Sequence, residues 1–528
     1  MYDYIIVGAG SAGCVLANRL SADPAVSVLL VEAGGRDWHP FIHMPAGLAK
    51  LINNKQINWH YETEPEAALN GRRLYWPRGR VLGGSSSINA MCYIRGHARD
   101  YDEWAEAGNR GWGWSEVLPY FKRAEDQQRG ASAYHGVGGP LSVQDLRYTN
   151  PLTAVFLDAA AGAGQPRNAD FNDADQIGFG HYQVTQRDGR RCSAARAYLS
   201  GIRARTNLEI MTSTLAHRIE FQGDRAAALV VQRGGAEVRL EASREIVLCG
   251  GAVNSPQLLM LSGIGDEEAL RRHGIRPRVK LPGVGANLQD HLDICLLQSC
   301  SQNITYDRTN DLMVGLRYFL TKSGIGTSNI AESGGFARSS RAPDARPDLQ
   351  YHFVPALLDD HGRNRLPGNG YTLHCCALRP RSRGSISLRS ASPGDPPVIR
   401  ANYLSDGEDL EIMLEGFALS REIFAQAAFD PYRAEEILPG AAAQDRASII
   451  EFIRTKAETI YHPVGTCRMG QDEDAVVDAE LRVHGVRGLR VVDASVMPTL
   501  IGGNTNAPTI MLGERAADLI ATRSARAA

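Results

Sequence analysis

The sequence has almost no net charge, because 57 basic residues stand against 59 acidic ones. This balance gives no electrostatic reason to expect nucleic acid or an anionic surface as a partner. The sequence also contains no uninterrupted apolar run of the roughly eighteen residues that a spanning helix needs. We therefore expect no membrane-spanning segment, although peripheral attachment to a membrane stays open.

Cysteine pairs with metal or redox spacing are missing as well. The nine cysteines are an odd number, and no two of them show the C-x-x-C spacing of a zinc site or a dithiol motif. Most lie in apolar surroundings, where a free thiol behaves as a small hydrophobic group. A strand-like run begins at Tyr2, so we expect no signal peptide before the first strand. We expect a reduced, cytoplasmic protein without a metal site.

The length and overall composition are those of a globular enzyme with two or three domains. The 528 residues are 43% hydrophobic and 22% charged, which is the usual mixture of a globular protein. Glycine is abundant at 54 residues, which favours tight turns and places where the backbone approaches a ligand closely.

The first segment has the pattern of a dinucleotide-binding unit. Tyr4–Val7 is a short apolar run that predicts a buried parallel strand, and Gly8, Gly10 and Gly13 follow it as G-x-G-x-x-G. A helical pattern comes next, with apolar residues on one face. The glycines permit a tight turn that brings backbone N–H groups close to a pyrophosphate at the start of the helix.

A second apolar run, Val26–Val31, ends at Glu32, which is placed to accept hydrogen bonds from a ribose. A glycine-rich turn alone is weak evidence, because such turns are common. Here strand, helix, second strand and terminal acid are all present, which favours a dinucleotide site over an incidental turn. The pattern leaves NAD and FAD open. A single intact motif in so long a chain favours a tightly held FAD that meets the substrate directly.

Several later motifs resemble those of the glucose–methanol–choline (GMC) oxidoreductase superfamily. They are GRVLGGSSSIN at 79–89, GAVNSPQLLMLSGIG at 251–265, GVGANLQDH at 283–291, HPVGTCRMG at 462–470 and NTNAPT at 504–509. The resemblance covers the whole chain. It implies an α/β protein with a Rossmann-like FAD-binding domain that is interleaved with an α+β, mixed-sheet substrate-binding domain.

The resemblance also implies which residues contact FAD. In the loop at Gly84 the absence of a side chain lets backbone N–H groups approach phosphate or flavin. The residues implied as FAD contacts are Gly8, Gly10, Ser11, Ala12, Gly13, Glu32, Ala33, Trp59, Arg80, Leu82, Gly84, Asn89, Ala90, Met91, Ala216, Gly250, Asp493, Ala494, Pro508 and Thr509. Family members with covalent FAD have a histidine where this sequence has Ile88, so we expect FAD to be held without a covalent bond.

Two residues near the C-terminus match the catalytic positions of the family. Alcohol oxidation requires removal of the hydroxyl proton, and a histidine suits that step because its pKa is near neutrality. A lone histidine is more often structural, but His462 matches the catalytic histidine of the family. We assign the second catalytic position to Asn506, whose amide can donate to a developing alkoxide. We interpret Asn504 as part of a turn.

Other polar residues are expected to be structural. Asp290 and His291 resemble an acid–base pair, but neighbours in sequence rarely converge on one substrate atom. Pro508 is expected at the first position of a helix, where its missing N–H costs no hydrogen bond. The start of that helix would face the flavin's pyrimidine edge with its positive dipole end.

The chain is expected to interleave its two domains. We assign 1–145, 196–305 and 455–528 to the FAD-binding domain, and 146–195 and 306–454 to the substrate-binding domain. Strands are expected at 348–354 and 384–388 and an amphipathic helix at 408–424. The sequence shows no repeat or coiled coil.

Within the family, the resemblance is nearest to membrane-associated alkanol dehydrogenases of bacteria and to choline dehydrogenase-like proteins. It implies a quinone or another non-oxygen acceptor, and it allows peripheral attachment to the inner face of the cytoplasmic membrane. Alternatives are an oxidase that uses O2 and a hydroxynitrile lyase that keeps FAD without its redox chemistry. Because aromatic residues are only 7%, an aromatic cage for choline is not expected. The apolar run at 353–358 favours medium-chain, long-chain or aromatic primary alcohols, and Glu332 is expected in a tight turn.

Overall fold

The computed structural model describes residues 1–364 and 366–527. The strands are β1 Tyr2–Val7, β2 Val28–Val31, β3 Tyr61–Glu62, β4 Tyr75–Trp76, β5 Glu125–Gln127, β6 Leu141–Val143, β7 Gly178–His181, β8 Gln186–Arg187, β9 Arg190–Arg191, β10 Leu208–Met211, β11 Thr214–Gln222, β12 Arg225–Arg233, β13 Ala236–Leu248, β14 Ile264–Gly265, β15 Val279–Lys280, β16 Leu292–Cys300, β17 Ser333–Ala337, β18 Leu349–Val354, β19 Gly370–Ala377, β20 Ser385–Ser387, β21 Val398–Arg400, β22 Arg433–Leu438, β23 Glu458–Thr459 and β24 Leu489–Val491.

The helices follow the same chain order. They are α1 Ser11–Leu20, α2 Pro40–His43, α3 Leu48–Leu51, α4 Ala98–Glu106, α5 Trp114–Ala124, α6 Pro151–Gly162, α7 Gly251–Leu261, α8 Glu267–Arg272, α9 Asp311–Thr321, α10 Gly407–Ala425, α11 Arg446–Lys456 and α12 Asn506–Ala527. None of the helices in the described residues is both long and apolar enough to cross a bilayer.

The first sheet has the order β10-β2-β1-β13-β12-β11, and β24 also pairs with β13. The strands β10, β2, β1, the C-terminal part of β13, and β24 run parallel. The N-terminal part of β13 pairs antiparallel with β12. The expected nucleotide-binding unit is therefore confirmed as β1, α1 and β2, and the central strands are buried on both faces, as apolar parallel strands are.

Helix α12 packs closely on α1 beside this sheet. A Cβ atom at Gly513 would lie 3.0 Å from Val15 Cβ and 3.1 Å from Ala12 Cα, so only glycine permits this approach. The C-terminal helix is thus held against the helix that opens the nucleotide-binding unit.

The second sheet has the order β22-β16-β19-β18-β17-β7, with β23 added beside β16, and its pairs are antiparallel. Helix α10 packs on one face, where a Cβ at Gly416 would meet Cys375 Sγ at 2.4 Å. The alternation of side chains along a strand sends the neighbouring His374 to the opposite face, which lines the cavity described below.

Two expectations about local structure are corrected. Helix α12 begins at Asn506, so Pro508 is the third residue of the helix and not the first. Residues 333–335 lie in β17 and not in a tight turn, because they pair with β18 and β7. Residues 292–300 form β16, which pairs with β19 and β22 in the second sheet. The domain limits stay a prediction.

Candidate active site

A continuous cavity begins at the carboxyl ends of the parallel strands and extends to the second sheet. Gly8 follows β1, Glu32 follows β2, Gly250 comes after β13 and Asp493 comes after β24, and all four line the cavity. Ligands of open α/β sheets bind at this edge, because loops and helix starts converge there. The fold therefore places the motif residues around one site.

Glu32 is held by backbone groups at one end of the cavity. Its Oε2 accepts from the Ala9 N–H at 2.9 Å and its Oε1 accepts from the Gly34 N–H at 2.8 Å. Burial raises the pKa of this carboxyl group to about 7, against the lowering effect of those two hydrogen bonds and Arg80. The lining position and fixed orientation suit a carboxylate that accepts from a ribose hydroxyl.

The glycine turn provides room for a phosphate group. Gly8 has φ +106°, and a Cβ there would lie 2.4 Å from Cys249 O. A Cβ at Gly10 would meet nothing closer than Cys249 O at 3.9 Å, so its backbone faces the cavity. Helix α1 starts here without a side-chain cap or an acidic residue in its first turn. Such a helix start presents N–H groups to an anion, which fits the pyrophosphate of FAD.

Most of the predicted cofactor contacts lie on this cavity. The predicted residues that line it are Gly8, Gly10, Ser11, Ala12, Glu32, Ala33, Trp59, Gly84, Asn89, Ala90, Met91, Ala216, Gly250, Asp493, Ala494 and Thr509. The other four, Gly13, Arg80, Leu82 and Pro508, are not among the lining residues.

Three of these four have structural contacts that explain their place. Gly13 packs against Gly8, where a Cβ would lie 1.9 Å from the Gly8 carbonyl oxygen. The Arg80 guanidinium stacks 4.8 Å from the centre of the Trp59 ring, which itself lines the cavity. The Leu82 side chain is buried, and its N–H donates to the Gly35 carbonyl oxygen at 3.0 Å. These three residues pack behind the residues that line the cavity.

His462 lies on the cavity wall between two buried partners. Its Nδ1 is 3.0 Å from the Nδ1 of His291, and its backbone N–H donates to Asp290 Oδ1 at 2.7 Å. Asp290 also accepts from the hydroxyl groups of Thr459 and Tyr403. Asp290 and His291 therefore each bind His462 and hold it in place.

The hydrogen-bond chain fixes the tautomer of His462. His291 Nε2 is 3.0 Å from the Leu378 carbonyl oxygen, which can only accept, so this nitrogen carries the proton. Burial lowers the pKa of His291 to about 3, so the ring is neutral and its Nδ1 must accept. His462 therefore donates from Nδ1 and has an unprotonated Nε2 directed to the opposite side.

The pKa of His462 is held well below its ordinary value. Burial is the largest cause, and His291, His352 and the Arg78 guanidinium lower it further. The imidazole is consequently neutral at physiological pH, which is the form that a general base needs.

Asn504, and not Asn506, is the asparagine beside His462. Asn504 Nδ2 lies 3.2 Å from His462 Nε2, and Asn504 Oδ1 accepts from Gln350 Nε2 at 2.9 Å. Asn506 Oδ1 instead accepts from the Ser11 hydroxyl group at 2.7 Å, at the starts of α12 and α1. Both asparagines line the cavity, so the assignment of Asn506 as the second catalytic residue stays a prediction. The segment N-T-N gave two candidates, and no pattern in the sequence shows which one faces the histidine.

The far wall of the cavity is more polar than the sequence suggested. Asp293 and Cys295 of β16, His374 of β19, and Glu458 of β23 all line it. His374 Nδ1 lies 2.6 Å from Asp293 Oδ2. This contact is shorter than the spacing of about 3.3 Å that two ligands keep around one zinc ion, so it is a hydrogen-bonded pair.

Glu458 belongs to the same wall. Its Oε2 lies 3.2 Å from His361 Nε2. Burial raises the pKa of Glu458 to about 8, and nearby Asp360 and Asp293 raise it further. Alternation along short strands could have indicated these residues, but the sequence gives no sign that β16 and β23 face the site.

Several buried polar atoms on this wall have no hydrogen-bond partner among the described residues. They include Arg78 Nε, Asp293 Oδ1, Asn329 Oδ1 and His352 Nδ1, and all four residues line the cavity. Buried polar atoms are almost always satisfied, so a cluster of unpaired ones indicates a site for ligand or water. Ile88, in contrast, packs into an apolar cluster with Ile42 and Val81 and offers no atom for a covalent link.

Comparison with known proteins agrees with this site. Family models described as GMC oxidoreductase match residues 2–293 and 380–513. The chain is 52% identical to an alcohol dehydrogenase [acceptor] of Pseudomonas putida, over 98% of this chain and 96% of that protein. It is 48% identical to the mitochondrial choline dehydrogenase of Homo sapiens, over 98% and 89% of the two chains.

Solved structures give the same fold. Pyridoxine 4-oxidase from Mesorbium loti superposes with a TM-score of 0.90 at 36% identity, covering 98% of this chain and 99% of that one. Formate oxidase of Aspergillus oryzae, whose FAD was the subject of the structural work, gives 0.92 at 28% identity over 99% and 98% of the chains.

Proposed function

The chain belongs to the GMC oxidoreductase family, and from that premise we propose that it oxidises primary alcohols to aldehydes with His462 as the general base. It is a flavoprotein oxidoreductase with FAD as its cofactor. The observation that carries the proposal is the unprotonated Nε2 of His462, which faces Asn504 in the cavity.

The bound FAD supplies the acceptor for the hydride that leaves the alcohol carbon. The residues that would hold it are the α1 helix start for the pyrophosphate, Glu32 for the ribose, and the loop at Gly84 for the flavin. Ile88 leaves the FAD without a covalent bond.

His462 takes the hydroxyl proton on Nε2. The resulting imidazolium can keep its Nδ1 hydrogen bond to His291, because Nδ1 carries its proton in both states. The base thus changes charge without changing its orientation. The Asp290 carboxylate, which accepts from the His462 backbone N–H, lies near the new positive charge.

Asn504 stabilises the oxygen that loses the proton. Its amide donates to His462 Nε2 in the absence of substrate, and a substrate hydroxyl group placed between the two residues accepts that donation instead. Gln350 keeps the amide in this orientation by donating to Asn504 Oδ1. The second catalytic residue in this proposal is therefore Asn504.

The first candidate substrate class is medium-chain, long-chain or aromatic primary alcohols. Val354, Leu358, Ile330 and Ile460 line the cavity and provide apolar surface, where each buried methylene group contributes about 0.8 kcal/mol. The name of the Pseudomonas putida relative, alcohol dehydrogenase [acceptor], supports an alcohol as the substrate.

The second candidate class is alcohols with a distal cationic group, which Asp293 and Glu458 on the far wall favour. Such a cation would restore the charge that burial removes from Glu458, since its pKa is raised to about 8. The choline dehydrogenase relatives favour this class.

The electron acceptor in this proposal is a quinone or another non-oxygen acceptor, and the enzyme is attached peripherally to the inner face of the cytoplasmic membrane. An oxidase that uses O2 remains the alternative, and one group of relatives carries the name oxygen-dependent choline dehydrogenase. A hydroxynitrile lyase remains the non-redox alternative.

An anaerobic panel of alcohols tests the proposal. The panel runs from ethanol to decanol and includes benzyl alcohol and choline, with flavin absorbance as the readout. Bleaching by any alcohol excludes the lyase, and reoxidation by a quinone but not by air identifies a dehydrogenase. A kcat/KM that rises with chain length selects the apolar class. A higher kcat/KM for choline than for the other alcohols selects the cationic class, provided that Asp293→Asn and Glu458→Gln lower it. No bleaching by any alcohol would contradict the proposed function.

A further inference from the structure

Helix α9 exposes an unusual amount of apolar surface. Leu312, Met313, Leu316, Phe319 and Leu320 are 78%, 59%, 51%, 47% and 75% exposed. They make up most of the large hydrophobic side chains that are exposed in the described part of the chain. A helix on a water-facing surface normally turns polar residues outward, so this one is built to contact something else.

The five side chains form one stripe along the helix. Their spacing of i, i+1, i+4, i+7 and i+8 places them on about a third of the circumference at 100° per residue. Tyr318 is on the opposite side and is buried. Its hydroxyl group donates to the His43 carbonyl oxygen at 2.6 Å. The helix is thus fixed to the protein by its inner side, while its outer side has no partner among the residues that the structure describes.

Basic side chains surround the stripe. Arg317 is exposed on α9 itself, and Lys322 follows the helix with its Nζ 5.2 Å from the centre of the Phe319 ring. Lys50 lies at the N-terminal end, 3.1 Å from Asp311. Arg190 is close enough to contribute to the electrostatic environment of Lys322. The local charge is positive even though the whole chain is nearly neutral.

The stripe lies next to one wall of the cavity. Lys50 is part of α3, and its neighbours Leu48 and Ala49 line the cavity together with Ile52. The Lys50–Asp311 ion pair therefore connects α9 directly to a wall of the active-site cavity.

We propose that the outer face of α9 docks on a lipid bilayer that contains anionic headgroups. A convex apolar stripe with cations at its edges is the pattern of a helix that lies in the interface, because the apolar side chains enter the acyl region and the cations meet lipid phosphates. A protein partner would need a complementary groove, whereas a bilayer accommodates a convex face. The inference deepens the peripheral attachment proposed above by naming its surface.

Vesicle flotation with the FAD-loaded full-length enzyme tests the docking without turnover. The probes are vesicles of phosphatidylcholine alone and vesicles of phosphatidylcholine with phosphatidylglycerol. We expect the parent to float with the anionic vesicles, and Leu316→Gln/Leu320→Gln to bind them at least about tenfold more weakly. Arg317→Gln should weaken binding by roughly fivefold at low salt, and added salt should remove that difference.

The matched control is Val137→Gln/Val238→Gln, which removes two exposed apolar side chains elsewhere (54% and 38% exposed) and should bind like the parent. FAD content and activity with a soluble alcohol report folding and the proposed chemistry separately from binding. A parent that floats with neither vesicle, or a stripe variant that floats like the parent, would overturn the proposal. So would a parent dimer that the stripe substitutions convert to monomer without any vesicle binding, since a second copy would then cover α9.

Discussion

The Nδ1 atoms of His291 and His462 lie 3.0 Å apart, and this contact decides which nitrogen of His462 is free to accept a proton. His291 must accept at Nδ1 because its Nε2 proton is committed to the Leu378 carbonyl oxygen. His462 therefore presents Nε2 to the cavity without a proton. Two histidines far apart in sequence act as a single unit in which one orients and the other reacts.

Replacement of His462 by alanine should leave FAD bound and slow flavin reduction by a factor on the order of 10²–10⁴. The loss is expected because the unprotonated Nε2 of His462 lies beside Asn504, whereas burial lowers the pKa of His352, which also contacts Asn504, to about 3 and makes it a weaker base. Anaerobic stopped-flow reduction with a good alcohol measures it, with the FAD-to-protein ratio as the control. A variant that is reduced within a factor of roughly three of the parent rate would remove His462 from its proposed role.

The two asparagines give a matched pair of variants. Asn504→Ala should slow flavin reduction by a factor on the order of ten to a thousand, because it removes a donor to the alkoxide. Asn506→Ala should change the reduction rate little and instead weaken FAD retention, because it breaks the bond to the Ser11 hydroxyl group. Reduction rates and FAD dissociation constants separate the two effects. The reverse ranking of reduction rates would support our sequence-based assignment.

Substitution of His291 tests positioning. His291→Phe cannot accept from His462 Nδ1 and should lower kcat at least about tenfold while KM and FAD content change less. His291→Asn keeps an acceptor oxygen and should recover part of the loss. A purely structural defect would lower kcat equally in His291→Phe and His291→Asn. Equal kcat values for two variants of equal thermal stability would therefore count against the positioning role.

The pH dependence of kcat/KM follows from the lowered pKa of His462. A base is active when unprotonated, so activity is full above its pKa and is lost as the pH falls through it. Because burial places that pKa well below the ordinary 6.5, the acidic limb should lie below pH 6.5. The profile is measured with a neutral alcohol, which avoids titration of the substrate. An acidic limb of the kcat/KM profile at or above pH 7 that is absent from His462 variants would show that the site does not lower the pKa of His462.

FAD should leave the protein completely on denaturation, because Ile88 has no atom that can form a covalent link. Acid precipitation followed by filtration should put all the yellow colour in the filtrate. A matched Ile88→His variant shows whether the surrounding loop can support attachment. Colour that stays with the precipitated parent protein would contradict the prediction.

The sequence was most informative where the chemistry requires a fixed local pattern. Gly8, Gly10 and Glu32 line the cavity, and their positions could be predicted because a turn, a helix start and a strand end can be read from neighbours in sequence. His462 was found only through its family motif. The lining positions of most cofactor residues follow from the same motifs, which occupy the carboxyl ends of the parallel strands.

Contacts that depend on tertiary packing could not be predicted from the sequence. Asn504 and Asn506 are two residues apart, and only the path from the Gly502–Gly503 turn into α12 decides which of them faces His462. Asp293 and Glu458 were missed because β16 and β23 join the second sheet through pairings that no local pattern specifies. Glu332 lies beside β17 and accepts from buried hydroxyl groups, which places it outside the cavity lining.

The long strand β13 has a consequence for how the protein is made. It pairs with β1 from the beginning of the chain and with β24 from near its end, and α12 then closes on α1. A ribosome that has released only the first half of the polypeptide therefore exposes an unfinished sheet edge and a cavity that lacks Asp493, Ala494 and Thr509. We expect FAD to be retained only after residues 489–513 have emerged, so a prematurely terminated product should be colourless and prone to aggregation.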